Sequence, residues 1–156
     1  MPTTWLNVPL LPQSDRADCL PTCVEMVLAF FGQSVKREWL CQVMGTSDLG
    51  TPGFKVLNLQ RHGYDVTYAS ATDERVLVQA LAGGIPPIAL LRTSHLPYWE
   101  HETAHAVVII AMDMDHVTLN DPAFPTAPQT ISRDEFMLAW LDFDFLYALV
   151  RPSQNR

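Results

Sequence analysis

Apolar residues change their spacing near Gly83-Gly84, and that change limits the possible folds more than any other feature of the chain. Before it, they recur mostly at helical intervals. Val24, Val27, Leu28 and Phe31 stand at i, i+3, i+4 and i+7, with Pro21 in the first turn and Gly32 at the end, which predicts a helix over 19–31. A second is predicted over 35–44, capped by Ser34 and stopped by Gly45, and a third over 54–62, stopped by Gly63. Residues 73–81 read as a fourth, 5–11 as extended chain, and 64–69 alternate like a strand. Strand-length apolar runs follow the glycine pair, at 85–91, 105–111, 117–121 and 145–150, with one short helix opened by the capping box Ser132-Arg133-Asp134-Glu135. Helices first and mostly antiparallel strands afterwards predict an α+β domain over 1–156, with a helical lobe (12–83) packed on a sheet lobe (85–151).

Charge narrows the partners. Ten Lys and Arg against seventeen Asp and Glu leave a net charge of −7, spread along the chain. Such a protein gains nothing from releasing phosphate counterions, so neither nucleic acid nor an anionic membrane surface is an expected partner. The longest apolar stretches, 85–91 and 106–112, are too short to span a bilayer, and residues 1–8 lack the basic patch and apolar core of a signal peptide. Three cysteines cannot all pair with one another, so they read as thiols in a reducing cytoplasm.

Cys19 opens the first predicted helix. That position faces the positive end of the helix dipole, where a thiolate is stabilised. Gln13 lies six residues earlier, on the extended approach. Its amide, beside the backbone N–H of Cys19, would make an oxyanion hole for acyl transfer. Cys23 and Cys41 fall inside helices among apolar neighbours and read as small buried hydrophobes. Cys19 and Cys23 form CxxxC, not the redox CxxC.

A base is expected on the hairpin that follows. If Asp113 is the centre of the turn, Ile109 faces Val117, Val107 faces Leu119 and His105 faces Asp121 on the core side of the sheet. A carboxylate there would fix the imidazole tautomer and stabilise the imidazolium. A slip of one residue would place the two on opposite faces. Pro97-Tyr98-Trp99, in the loop before His105, is expected either to line a substrate cleft or to anchor that loop with its aromatic rings.

Together these segments resemble a known family. Gln13, Asp18-Cys19, Met26-Val27-Leu28 and Phe31-Gly32 are similar to the nucleophile segment of the papain-like double-glycine leader peptidases, the domains at the N-termini of bacteriocin-exporting ABC transporters. His105-Ala106-Val107-Val108 and Asn120-Asp121-Pro122 resemble that family's His strand and Asp turn. The resemblance implies a papain-like cysteine peptidase fold, with Cys19 as nucleophile, His105 as base and acid, Asp121 as orienter and Gln13 as oxyanion donor. It implies no cofactor, and a peptide or protein substrate cut after a Gly-Gly pair in a leader. The family usually has Gly directly after the cysteine; here Leu20 stands there, and a larger side chain is expected to narrow the cleft. Without the transporter's membrane and ATPase parts, this chain is not expected to export anything.

Three other readings remain open. His101-Glu102-Thr103-Ala104-His105 spells HExxH, a zinc-protease motif that requires a helix. The β-branched run at 107–110 favours strand instead, and Ala111 and Pro125 stand where further ligands would be needed. The same fold without catalysis would be a peptide-binding module. With an amine in place of water, the same residues would make an acyltransferase or amidase. On the peptidase reading, Cys19→Ala abolishes turnover and Asp121→Asn is milder.

Overall fold

The computed structural model describes residues 4–154. The first three residues of the stretch read for a targeting signal, and three at the start and two at the end of the expected 1–156 domain, lie outside it. The element order is α1 (Cys19–Phe30), α2 (Arg37–Val43), a 3₁₀ helix (Gly53–His62), β1 (Tyr64–Ser70), α3 (Arg75–Ala82), β2 (Ile88–Arg92), a one-turn 3₁₀ helix (Thr93–His95), β3 (Ala104–Met112), β4 (His116–Asn120), β5 (Gln129–Ser132), α4 (Arg133–Leu141) and β6 (Leu146–Pro152). The strands form one sheet in the order β1-β6-β2-β3-β4-β5. Every ladder in it is antiparallel. The α+β expectation therefore holds, and the sheet takes an edge strand, β1, from within the stretch expected to form the helical lobe.

α1 buries the stripe its sequence pattern demands: Leu20, Cys23, Val24, Val27 and Leu28 all face the core. It packs against β3 and α2. β3 is buried from His105 to Met112 on both faces, which explains its unbroken apolar run. Among the described residues no helix is long and apolar enough to cross a membrane.

Several boundaries differ from expectation. α2 starts at Arg37 with Lys36 at its cap and no side-chain cap bond, so Ser34 is not the cap; Lys36 is still extended, at φ −73° and ψ 133°. The third helix is 3₁₀ and not α, although Gly63 ends it at φ +89° as expected of a glycine stop. β2 begins at Ile88 and not at Ile85, because Pro86 and Pro87 have no N–H to give a ladder. β5 was not foreseen: its four residues are mostly polar, and it is held at the edge by β4, including a 2.9 Å bond between the Thr118 and Thr130 hydroxyls.

The hairpin register is also corrected. Ile109 pairs with Leu119 and not with Val117, a shift of two residues, and the ladder slips again to pair Met112 with Val117. Two local causes account for this. The turn is centred beyond Asp113, whose N–H bonds the His116 carbonyl (3.0 Å) while its carboxylate accepts from the N–H groups of Asp115 and His116. A bulge at Ile110 then takes up one residue, and the Ile110 carbonyl accepts instead from Leu6 of the extended N-terminal segment (2.9 Å). A shift of two preserves the face, so His105 and Asp121 stay on the same side of the sheet.

Candidate active site

Three segments converge where α1 meets the β3 and β4 ends. Cys19 is the first residue of α1, so its backbone N–H has no acceptor within the helix. Asp18, directly before it, does not cap the helix with its side chain. Its buried carboxylate turns back to accept from the N–H groups of Ser14 (3.0 Å) and Asp15 (3.2 Å), which folds 14–18 into a tight loop. Arg37 of α2 locks that loop from outside. Its guanidinium donates to the Pro12 carbonyl (2.7 Å) and to Glu25 (2.8 Å), and lies 3.8 Å from Asp18. Nothing in the sequence pattern singled out Arg37; its partners lie far along the chain.

His105 stands near the start of β3 and is 5% exposed. Nε2 bonds Oδ1 of Asp121 at 2.6 Å. That leaves Nδ1 for the thiol, and Cys19 is the second side chain that acts on the imidazole. Burial alone would lower the imidazole pKa. Hydrogen bonds to Asp121 and Cys19, with the charges of both, overcome it and push the value up to about 9. Asp121 is fully buried and every lone-pair direction has a donor. Oδ1 also accepts from Ala123 N–H (2.9 Å), and Oδ2 accepts from Tyr98 Oη (2.8 Å) and Trp99 Nε1 (2.9 Å). Burial works to raise its pKa, but the bonds from His105, Trp99 and Ala123 N–H and the His105 charge hold it below the usual carboxylate range. The Tyr98 hydroxyl is pushed in the other direction, upward, by burial and by the Asp121 charge.

Tyr98 and Trp99 thus do something the sequence reading did not assign them: their polar ends hold Asp121. Their rings still line a cavity of about 500 Å³ that also takes in Gln13, His105 and Phe124. Trp99 lies edge-on to His105, with ring centres 4.8 Å apart. Phe124, which sequence reasoning missed, packs against both Tyr98 (4.9 Å) and Trp99 (5.3 Å). Only its place just after Asp121-Pro122 hinted at it.

Gln13 is tied to the same corner, since its N–H bonds the Pro122 carbonyl at 3.0 Å. Its side-chain Nε2 donates one hydrogen to the Asp15 carbonyl (2.9 Å), and its Oε1 is buried with no partner among the described residues. Leu20 is not in the cleft. It is 2% exposed and packed in the core, because position 20 starts the buried stripe of α1 one residue past the nucleophile position. Cys23, one turn into α1, is wholly buried, and burial raises its thiol pKa well above the ordinary value. Cys41 is partly exposed and raised for the same reason.

The HExxH stretch is not helical: it runs through loop into β3. Glu102 pairs with Arg92 (3.1 Å), His101 is exposed against the Trp99 ring, and His105 gives Nε2 to Asp121. An extended chain does not aim residues i and i+4 at one ion.

Comparison with known proteins follows the same lines. The model of a family described as Peptidase_C39 like family matches residues 5–147. The lactococcin-G-processing and transport ATP-binding protein LagD of Lactococcus lactis subsp. lactis is 28% identical over 151 residues, covering 94% of this chain and 20% of LagD. The chain thus spans about one fifth of that relative's length. Among solved structures, a Bacillus anthracis protein described as a C39-like peptidase superimposes with a TM-score of 0.79 at 17% identity, covering 98% of this chain and 100% of that one. A double glycine motif protease from an AMS/PCAT transporter, solved with its leader peptide, gives 0.73 at 20% identity, covering 96% and 94%.

Proposed function

Because the chain belongs to the Peptidase C39 like family over residues 5–147, we propose that it is a cysteine peptidase that cuts a peptide bond through an acyl-thioester on Cys19. One observation carries this reading: a buried imidazole bonded to a carboxylate, with a thiol at a helix start as the other group that raises its pKa. A structural histidine needs one such partner. A nucleophile, its base and an orienter need both.

In the proposed cycle, Nδ1 of His105 holds the proton while Sγ of Cys19 attacks the carbonyl carbon. The oxyanion accepts hydrogen bonds from the Cys19 N–H and from the second hydrogen of Gln13 Nε2, the first being held by Asp15. Such donors contribute about 3 kcal/mol each to transition-state stabilisation. As the C–N bond breaks, His105 returns the proton to the departing amine. Water, deprotonated by His105, then attacks the thioester; the C–S bond breaks, the acid leaves, and the free Cys19 sulfur and protonated His105 are restored. Asp121 holds the imidazolium throughout, and Tyr98 and Trp99 keep the carboxylate fixed and dry.

For substrate we propose a leader peptide cut after a Gly-Gly pair, with 1–156 acting as one peptidase domain. The processing function in the LagD name and the leader peptide bound to the double glycine motif protease support that class. The test is turnover of internally quenched Gly-Gly peptides. Cys19→Ala is expected to remove all cleavage while shifting the melting temperature little. Retained cleavage in that variant would refute the reading.

A further inference from the structure

The aromatic cavity beside His105 has a direction with respect to the reaction, and it rests on the peptidase reading above. His105 must hand its proton to the departing amine, so that amine, and the residue it belongs to, lies on the imidazole side of the scissile bond. The acyl half stays on Cys19. The cavity of about 500 Å³ is lined by Gln13 and His105 and walled by Tyr98, Trp99 and Phe124. Cys19 is not part of its lining, which places it on the leaving-group side.

We propose that this cavity is the subsite for the first residue after the scissile bond, and that it selects a large apolar or aromatic side chain there. Three observations argue for that chemistry. One wall is made of ring faces and edges, mutually packed at 4.9 Å for Tyr98–Phe124 and 5.3 Å for Trp99–Phe124, so it is preorganised. The polar ends of Tyr98 and Trp99 are turned away onto Asp121, leaving apolar surface toward the space. The lining holds charges of both signs, Arg16 and Glu100 among them, and Glu102 is paired with Arg92 at 3.1 Å, so no single charge on a substrate side chain is favoured.

Phe124 is the wall residue that can be altered without removing a bond to Asp121. Its backbone N–H bonds the Asp121 carbonyl (2.9 Å), while its side chain only packs. The experiment uses internally quenched peptide libraries, mixed on the acyl side, ending in Gly-Gly, and fixed in turn as Phe, Leu, Gly, Asp or Lys at the next position. Expected is a kcat/KM about tenfold or more higher for Phe and Leu than for Gly, Asp or Lys, the scale set by apolar pockets. In Phe124→Ala that ratio is expected to fall several-fold, and in Phe124→Tyr to be largely kept. Cleavage at equal rates, or fastest with Asp or Lys, would overturn the subsite and leave the peptidase. A ratio untouched by Phe124→Ala would also overturn it. No cleavage of any library would refute the peptidase, and the subsite with it.

Discussion

At His105 burial and hydrogen bonding act against each other, and the bonds win: the imidazole holds its proton up to about pH 9 against an ordinary value near 6.5. A raised pKa means that this group's contribution to stability is complete below about pH 6.5 and is lost as pH rises through about 9. Activity follows the same proton, because the imidazolium must protonate the departing amine. The alkaline limb of kcat/KM is therefore expected near pH 9, and a limb near 6.5 would mean that the bonds to Asp121 and Cys19 do not form. Asp121→Asn now looks severe, where sequence alone suggested a milder loss. Each carboxylate oxygen meets two donors, so the new NH₂ faces donors whichever way it turns. A fall in kcat of about 10⁴-fold is expected, as for a misoriented triad histidine, measured beside the melting temperature.

At the scale of elements, what could be read from the chain was whatever depends on neighbours in sequence. The α1 stripe follows from spacing, and the α4 start follows from Ser132 and Glu135, which bond reciprocally as a capping box. Ser132→Ala is expected to cost about 1 kcal/mol, seen as a lower melting temperature with unchanged kcat. The parity of β3 and β4 was legible too, and parity alone brings His105 and Asp121 to one face. Their register was not, because it depends on a bulge at Ile110 satisfied by Leu6 more than a hundred residues away. Leu20 was misplaced for the opposite reason. Its proximity to Cys19 suggested the cleft, but on a helix the next residue points elsewhere, here into the core.

Across the whole molecule, the site depends on α1, the loop before it and the sheet keeping their relative positions. Arg37 is the tie that crosses these parts, binding α2 to Pro12, Glu25 and the Asp18 loop. Its removal is expected to let Gln13 drift from the oxyanion position, lowering kcat about tenfold or more. Alkylation of Cys19 by iodoacetamide needs no oxyanion hole, so it should be nearly unchanged; an equal loss of both would mean that the helix start itself has moved. The central claim, however, is the meeting of Cys19 with His105, and thiol-selective labelling read by mass spectrometry tests it most directly. With a limiting electrophile at neutral pH, Cys19 should be modified well ahead of Cys23 and Cys41, and that lead should vanish in His105→Ala. Equal labelling of Cys19 and Cys41, or a Cys19 rate indifferent to the loss of His105, would contradict it.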